Sequence, residues 1–141
     1  MSERRAGRPA RAPRHRDWAL TCRRLAAGWA VAVFVLAVVP VSWVFGVAPV
    51  DAWTLLGALG HYFEFALLTG LVAVGWRDAI GRRRALAVGA AVSAVYGVVI
   101  EIVQLPLPYR HFDVRDMATD WAGVATAALL VSVASRAAAA R

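Results

Sequence analysis

The stretch ALAVGAAVSAVYGVVIEIVQ, residues 85–104, carries a single formal charge, Glu101, and follows directly on Arg82, Arg83 and Arg84. At about 1.5 Å of rise per residue, a helix of this length crosses the roughly 30 Å of hydrocarbon in a bilayer. Three more runs of the same kind surround it. Leu25–Phe45 has no charge, and Trp29 and Trp43 fall near its ends, with Pro40 towards the outer one. Trp53–Trp76 is bracketed by tryptophan, the side chain that favours membrane interfaces. Asp116–Ser135 is followed by Arg136. The expected fold is all-α: a polytopic membrane protein, a bundle of four transmembrane helices occupying residues 25–136, with a short tail at 137–141.

Of the 141 residues, 60% are hydrophobic, above the half or so of an ordinary soluble domain. The net charge is +7, and every basic residue is arginine. Such a balance suits nucleic acid in principle. Here the arginines lie in a tail and in loops flanking apolar runs, so nucleic acid is excluded as a partner and the lipid bilayer takes its place. The only cysteine, Cys22, rules out a disulfide framework and a cysteine-based metal cluster. It stands just before the first apolar run and reads as an idle thiol, acylation being the alternative.

Residues 1–24 contain Arg4, Arg5, Arg8, Arg11, Arg14, Arg16, Arg23 and Arg24 with two prolines, and read as a disordered tail. Its charges set topology and can hover over anionic head groups. A cleaved signal peptide is disfavoured, because the following apolar run exceeds the 7–15 residues or so of a signal core. Arginine crowds the tail, the loop at Arg82–Arg84 and the C-terminus, but is absent from the loop around Asp51. The positive-inside rule then places both termini in the cytoplasm.

Ionisable residues inside spans are costly and call for a reason. His61 and Glu64 are three apart, on one helix face, and about 12–17 Å in from Trp53, near mid-membrane. Glu101 and Gln104 repeat that spacing at the outer end of the third span. Asp116, Asp120 and Gly123 form one stripe on the fourth, Gly123 leaving room for close helix approach. With Arg110 and Asp113 from the outer loop these residues form a candidate polar pocket: His61, Glu64, Glu101, Gln104, Arg110, Asp113, Asp116 and Asp120. Polar glue between helices, a recognition pocket, and a catalytic or metal site all remain open. There is no HExxH-type spacing; His111 of the outer loop keeps the metal alternative alive, but no metal and no cofactor are assigned.

His61-Tyr62-Phe63-Glu64-Phe65 resembles the H-F-x-E-[FY] signature on the second helix of VanZ-like proteins. Glu101-x-x-Gln104, Pro108-x-Arg110, Phe112-Asp113, Asp116 and Gly123 resemble that family's E-x-x-Q, P-x-R and D-x-x-x-N-x-x-G segment. The resemblance runs from about Leu59 to Leu130. Gly57 and Ala58 replace a frequent Asp-Lys pair, and Asp120 stands at the family's asparagine. The resemblance implies a bacterial plasma-membrane protein of envelope biology. The family's founder is an accessory factor in resistance to teicoplanin-type glycopeptide antibiotics, and no catalytic residues are implied.

The leading expectation is a non-enzymatic binder or modulator of a polar envelope component, such as a lipid-linked wall precursor or a lipid head group. In that reading Arg110 pairs with phosphate or carboxylate, Glu101, Gln104 and Asp116 orient the ligand, and His61 and Glu64 close the floor. The alternatives are an intramembrane hydrolase or transferase acting on a lipid-linked substrate, and a proton-coupled carrier. With only four helices a carrier needs a dimer, so a homo-oligomer stays open.

Overall fold

The computed structural model describes residues 13–40, 50–110 and 112–140. Four helices account for nearly all of them: α1 Pro13–Val38, α2 Val50–Ile80, α3 Arg82–Gln104 and α4 Val114–Ala139. Among the described residues there is no strand. Each helix contains a segment long and apolar enough to cross a membrane: Asp17–Val38, Gly57–Ile80, Arg82–Gln104 and Val114–Ala137. The chain is a multi-pass membrane protein.

The first span departs from the expectation. α1 starts at Pro13, so the second half of the stretch read as a disordered tail is helical, and the helix ends at Val38; residues 41–45 of the expected span lie outside the described residues. Residues 1–12 and Trp43 lie outside the described residues. Proline is at home in a first helical turn, where its missing N–H costs nothing. The arginines also mask a buried stripe, Ala19, Cys22, Ala26, Val33 and Ala37, at helical spacing. Cys22 is therefore part of the packed face, 3% exposed, not a thiol at the head of the span. At the other end Pro40 stops the helix, since the residue before a proline avoids the α conformation.

α2 is the central element and packs against each of the other three. The close approaches are made by glycine. A Cβ on Gly123 of α4 would run into the Tyr62 carbonyl oxygen, and one on Gly89 of α3 would meet the Thr69 carbonyl oxygen at 2.9 Å. α3 offers a column of small buried residues every fourth position, Ala85, Gly89, Ser93 and Gly97, which lets backbones meet without large side chains between them. α2 and α3 are joined by Gly81 alone, at φ 85° and ψ 151°, a left-handed-side conformation that side-chain-bearing residues avoid.

Contacts fix the ends of the bundle. Arg23 Nε donates to the Gly75 carbonyl at 2.8 Å, and its guanidinium stacks 4.9 Å above the Trp76 ring. Gln104 Nε2 donates to the Ala37 carbonyl at 3.1 Å. The N-terminal part of α1 therefore shares one end with the α2–α3 turn and the C-terminus of α4. The last turn of α1 shares the opposite end with the start of α4. Residues such as Val31, Val95, Leu129 and Leu130 point outward, as lipid-facing side chains do.

Candidate functional site

The polar residues gather at the end of the bundle away from Arg82–Arg84. His61 of α2 bridges two carboxylates one turn apart on α4. Its Nδ1 is hydrogen-bonded to Asp120 Oδ1 at 2.9 Å, and its Nε2 lies 3.7 Å from Asp116 Oδ2. Glu101 of α3 joins from the third helix, its Oε2 accepting the Asp113 N–H at 3.0 Å. It interacts electrostatically with Asp116, His61 and Asp120. Glu64 interacts in the same way with His61, Asp120 and Arg110. Three helices thus bring together His61, Glu64, Glu101, Asp116 and Asp120.

Exposure is graded across this cluster. The side chains of Asp116 and His61 are 35% and 22% exposed and form its mouth. Asp120 and Glu101, 1% and 0% exposed, form its floor. Two floor atoms, Glu101 Oε1 and Asp120 Oδ2, are buried with no hydrogen-bond partner, and so is Arg110 Nε. Unpaired buried polar atoms are uncommon and call for a proton, a water or a ligand atom. Asp120 Oδ2 fits against the backbone of α3 because Gly97 has no side chain; a Cβ there would stand 2.7 Å from it. Gly97 is one turn before Glu101, so the small-residue column of α3 ends in the site.

His61 pairs with Asp116, in the first turn of α4, and Glu101 lies one turn before the end of α3, so the cluster sits towards one end of the bundle.

Three predicted residues have other work. Gln104 and Arg110 reach the end of α1. Arg110 Nη2 donates to the Leu36 carbonyl at 2.7 Å and the Val39 carbonyl at 3.1 Å. Gln104 takes the Ala37 carbonyl, and Tyr109 Oη donates to the Val38 carbonyl at 2.7 Å. Four successive carbonyls at a helix end, which lack partners within the helix, are thereby satisfied. Asp113 is the N-cap of α4, its Oδ1 accepting the Arg115 N–H at 2.8 Å. Arg110 is engaged with these carbonyls through Nη2, while its charge also acts on Glu64.

Sequence reasoning passed over Tyr109, Gly97 and Tyr96, and read Trp29 only as a residue near the end of a span. Trp29 Nε1 donates to the Glu64 carbonyl at 3.0 Å and Tyr96 Oη to the Ala30 carbonyl at 2.6 Å, fastening α1 beside the site. Gly97 was readable as the position one turn before a buried glutamate. The carbonyl targets of the aromatic residues leave no mark in sequence.

Among the described residues, no group of three or more His, Cys, Asp or Glu side chains is arranged to hold a metal ion. His111 lies outside the described residues. The arrangement suits two tasks: accepting hydrogen bonds from a polar group at the mouth, and moving a proton through His61.

No curated protein and no solved structure matches the chain. The VanZ/LLP1 family model matches residues 14–135, which takes in the first three spans, most of the fourth and every residue of the cluster, and the chain belongs to the VanZ/LLP1 family.

Proposed function

We propose that the chain is a bacterial plasma-membrane protein, with both termini cytoplasmic, that binds the polar part of a cell-envelope component at its outer face and modulates it without catalysis. The carrying observation is the pair of fully buried carboxylates, each with an unpartnered oxygen, behind the partly exposed His61 and Asp116. Four carboxylates face one imidazole and one guanidinium already engaged with carbonyls. That balance favours donor groups: hydroxyls, amides or an ammonium, such as a lipid-linked wall precursor presents. A part in glycopeptide resistance follows if that precursor is the antibiotic's target. Binding of a purified lipid-linked precursor to the full chain in nanodiscs tests this. Asp116→Asn should weaken it by about tenfold or more, the scale of a lost charge-assisted hydrogen bond. Unchanged affinity in that variant overturns the reading. Reporter fusions after Arg82 and Arg136 should report cytoplasm, and one at Tyr109 the exterior.

A second reading, an intramembrane hydrolase or transferase, is supported by the His61–Asp120 contact. A carboxylate on Nδ1 fixes the tautomer and leaves Nε2, on the Asp116 side, able to accept a proton. Turnover of the bound precursor, abolished by His61→Gln, would establish it in place of the binder.

A further inference from the structure

A groove between α1 and α2 lies apart from the cluster and plays no part in the reading above. It is lined by Arg24, Leu25, Gly28 and Trp29 of α1 and by Leu67 and Leu71 of α2. Gly28 keeps it open, since a Cβ there would meet no atom within 4 Å. Leu25 and Leu67 are 52% and 45% exposed, so the walls are free to take an apolar chain. The groove is apolar except at one end, where Arg24 stands.

That end is the strongly basic one. It also holds Arg77, Arg82, Arg83 and Arg84. Arg23 is engaged with the Gly75 carbonyl and the Trp76 ring. Arg24 is exposed, and among the described residues no carboxylate is paired with it. Of the acidic residues at this end, Asp17 lies two turns back on α1, and Asp78 sits 4.0 Å from Arg77.

We infer that this groove binds an anionic glycerophospholipid, its phosphate on Arg24 and an acyl chain along Leu25, Gly28, Leu67 and Leu71. Charge chooses the occupant. A single free guanidinium at the mouth of an apolar slot matches a phosphate attached to a hydrocarbon chain, and nearby arginines add attraction for a net negative head group. The chain's upper part meets the Trp29 ring, whose N–H is bonded to the Glu64 carbonyl. The lipid therefore buttresses α1 where α1 supports the polar cluster.

Native mass spectrometry of the full chain, released from micelles with phosphatidylglycerol or phosphatidylcholine of identical acyl chains, tests the inference. Phosphatidylglycerol should be retained preferentially. Arg24→Gln should reduce that preference about fivefold, the scale of one arginine at a charged surface. Gly28→Leu fills the slot and should abolish retention of both lipids, whereas Val95→Leu, on the lipid-facing side of α3, should change nothing. Equal retention of the two lipids, or undiminished phosphatidylglycerol binding by Arg24→Gln, overturns the inference. Should Gly28→Leu fail to fold, the Arg24→Gln comparison decides alone. Binding of the wall precursor is measured separately, so either result can fail without the other.

Discussion

His61 is held by both its nitrogens to α4: Nδ1 at 2.9 Å from Asp120, Nε2 at 3.7 Å from Asp116. The first contact is buried on the aspartate side, and the second is partly exposed on both sides. His61→Ala and Asp120→Ala should each lower the unfolding free energy by about 1–3 kcal/mol, because each leaves a buried partner unpaired. The double variant should cost less than the two singles together, by about 0.5–3 kcal/mol of coupling. Reversible unfolding in mixed micelles measures all three. Strict additivity would show that the contact carries no energy.

Two glycines should respond in opposite ways to the same substitution. Gly123→Ala drives a methyl into the Tyr62 carbonyl, a backbone atom that moves only if α2 and α4 separate. It should cost about 1–3 kcal/mol or more. Gly28→Ala enters open space and should be neutral or slightly stabilising, since alanine favours helix. A melting series in one detergent compares them directly.

Arg110 should act on the end of α1. Arg110→Met leaves the Leu36 and Val39 carbonyls without their donor in a region short of water. Amide exchange at Ala37–Val39 should speed up while exchange in the middle of α3 stays unchanged. Tyr109→Phe, which frees only the Val38 carbonyl, should give a smaller change of the same kind. Uniform acceleration along the chain would mean that the loop stabilises the whole bundle and not this one terminus.

Glu101→Gln separates charge from shape. Its carbonyl oxygen can take over the bond from the Asp113 N–H, and its amide occupies the place of the unpartnered Oε1. Thermal stability should hold or rise, since a buried charge is removed. Binding of a donor-rich ligand should fall. Stability and binding falling together would instead mark Glu101 as a structural strut.

The spans and the cluster were legible for one reason: both rest on periodicity. A twenty-residue, predominantly apolar stretch around Ser93 defines a crossing, and His61 with Glu64, or Asp116 with Asp120, must share a face whatever surrounds them. The start of α1 was hidden because charge density outweighed the Ala19–Cys22–Ala26 stripe. Gln104 and Arg110 were legible as polar residues near the site, but their contacts with backbone carbonyls of α1, about seventy residues away, have no sequence signature. Asp113 could have been read from its place just before a helix, the position where a short acceptor side chain is favoured.

The one-residue turn at Gly81 has a mechanical meaning. α2 and α3 have no slack between them, so they form a single stiff hairpin carrying His61, Glu64 and Glu101. α4 hangs from that hairpin by the nine residues 105–113, and it carries Asp116 and Asp120. The cluster is thus divided between that hairpin and a helix joined to it by a longer segment, which Tyr109 and Arg110 moor to α1 and Asp113 to Glu101, so the stiffness of the hairpin reaches α4 through these moorings and not through the chain itself.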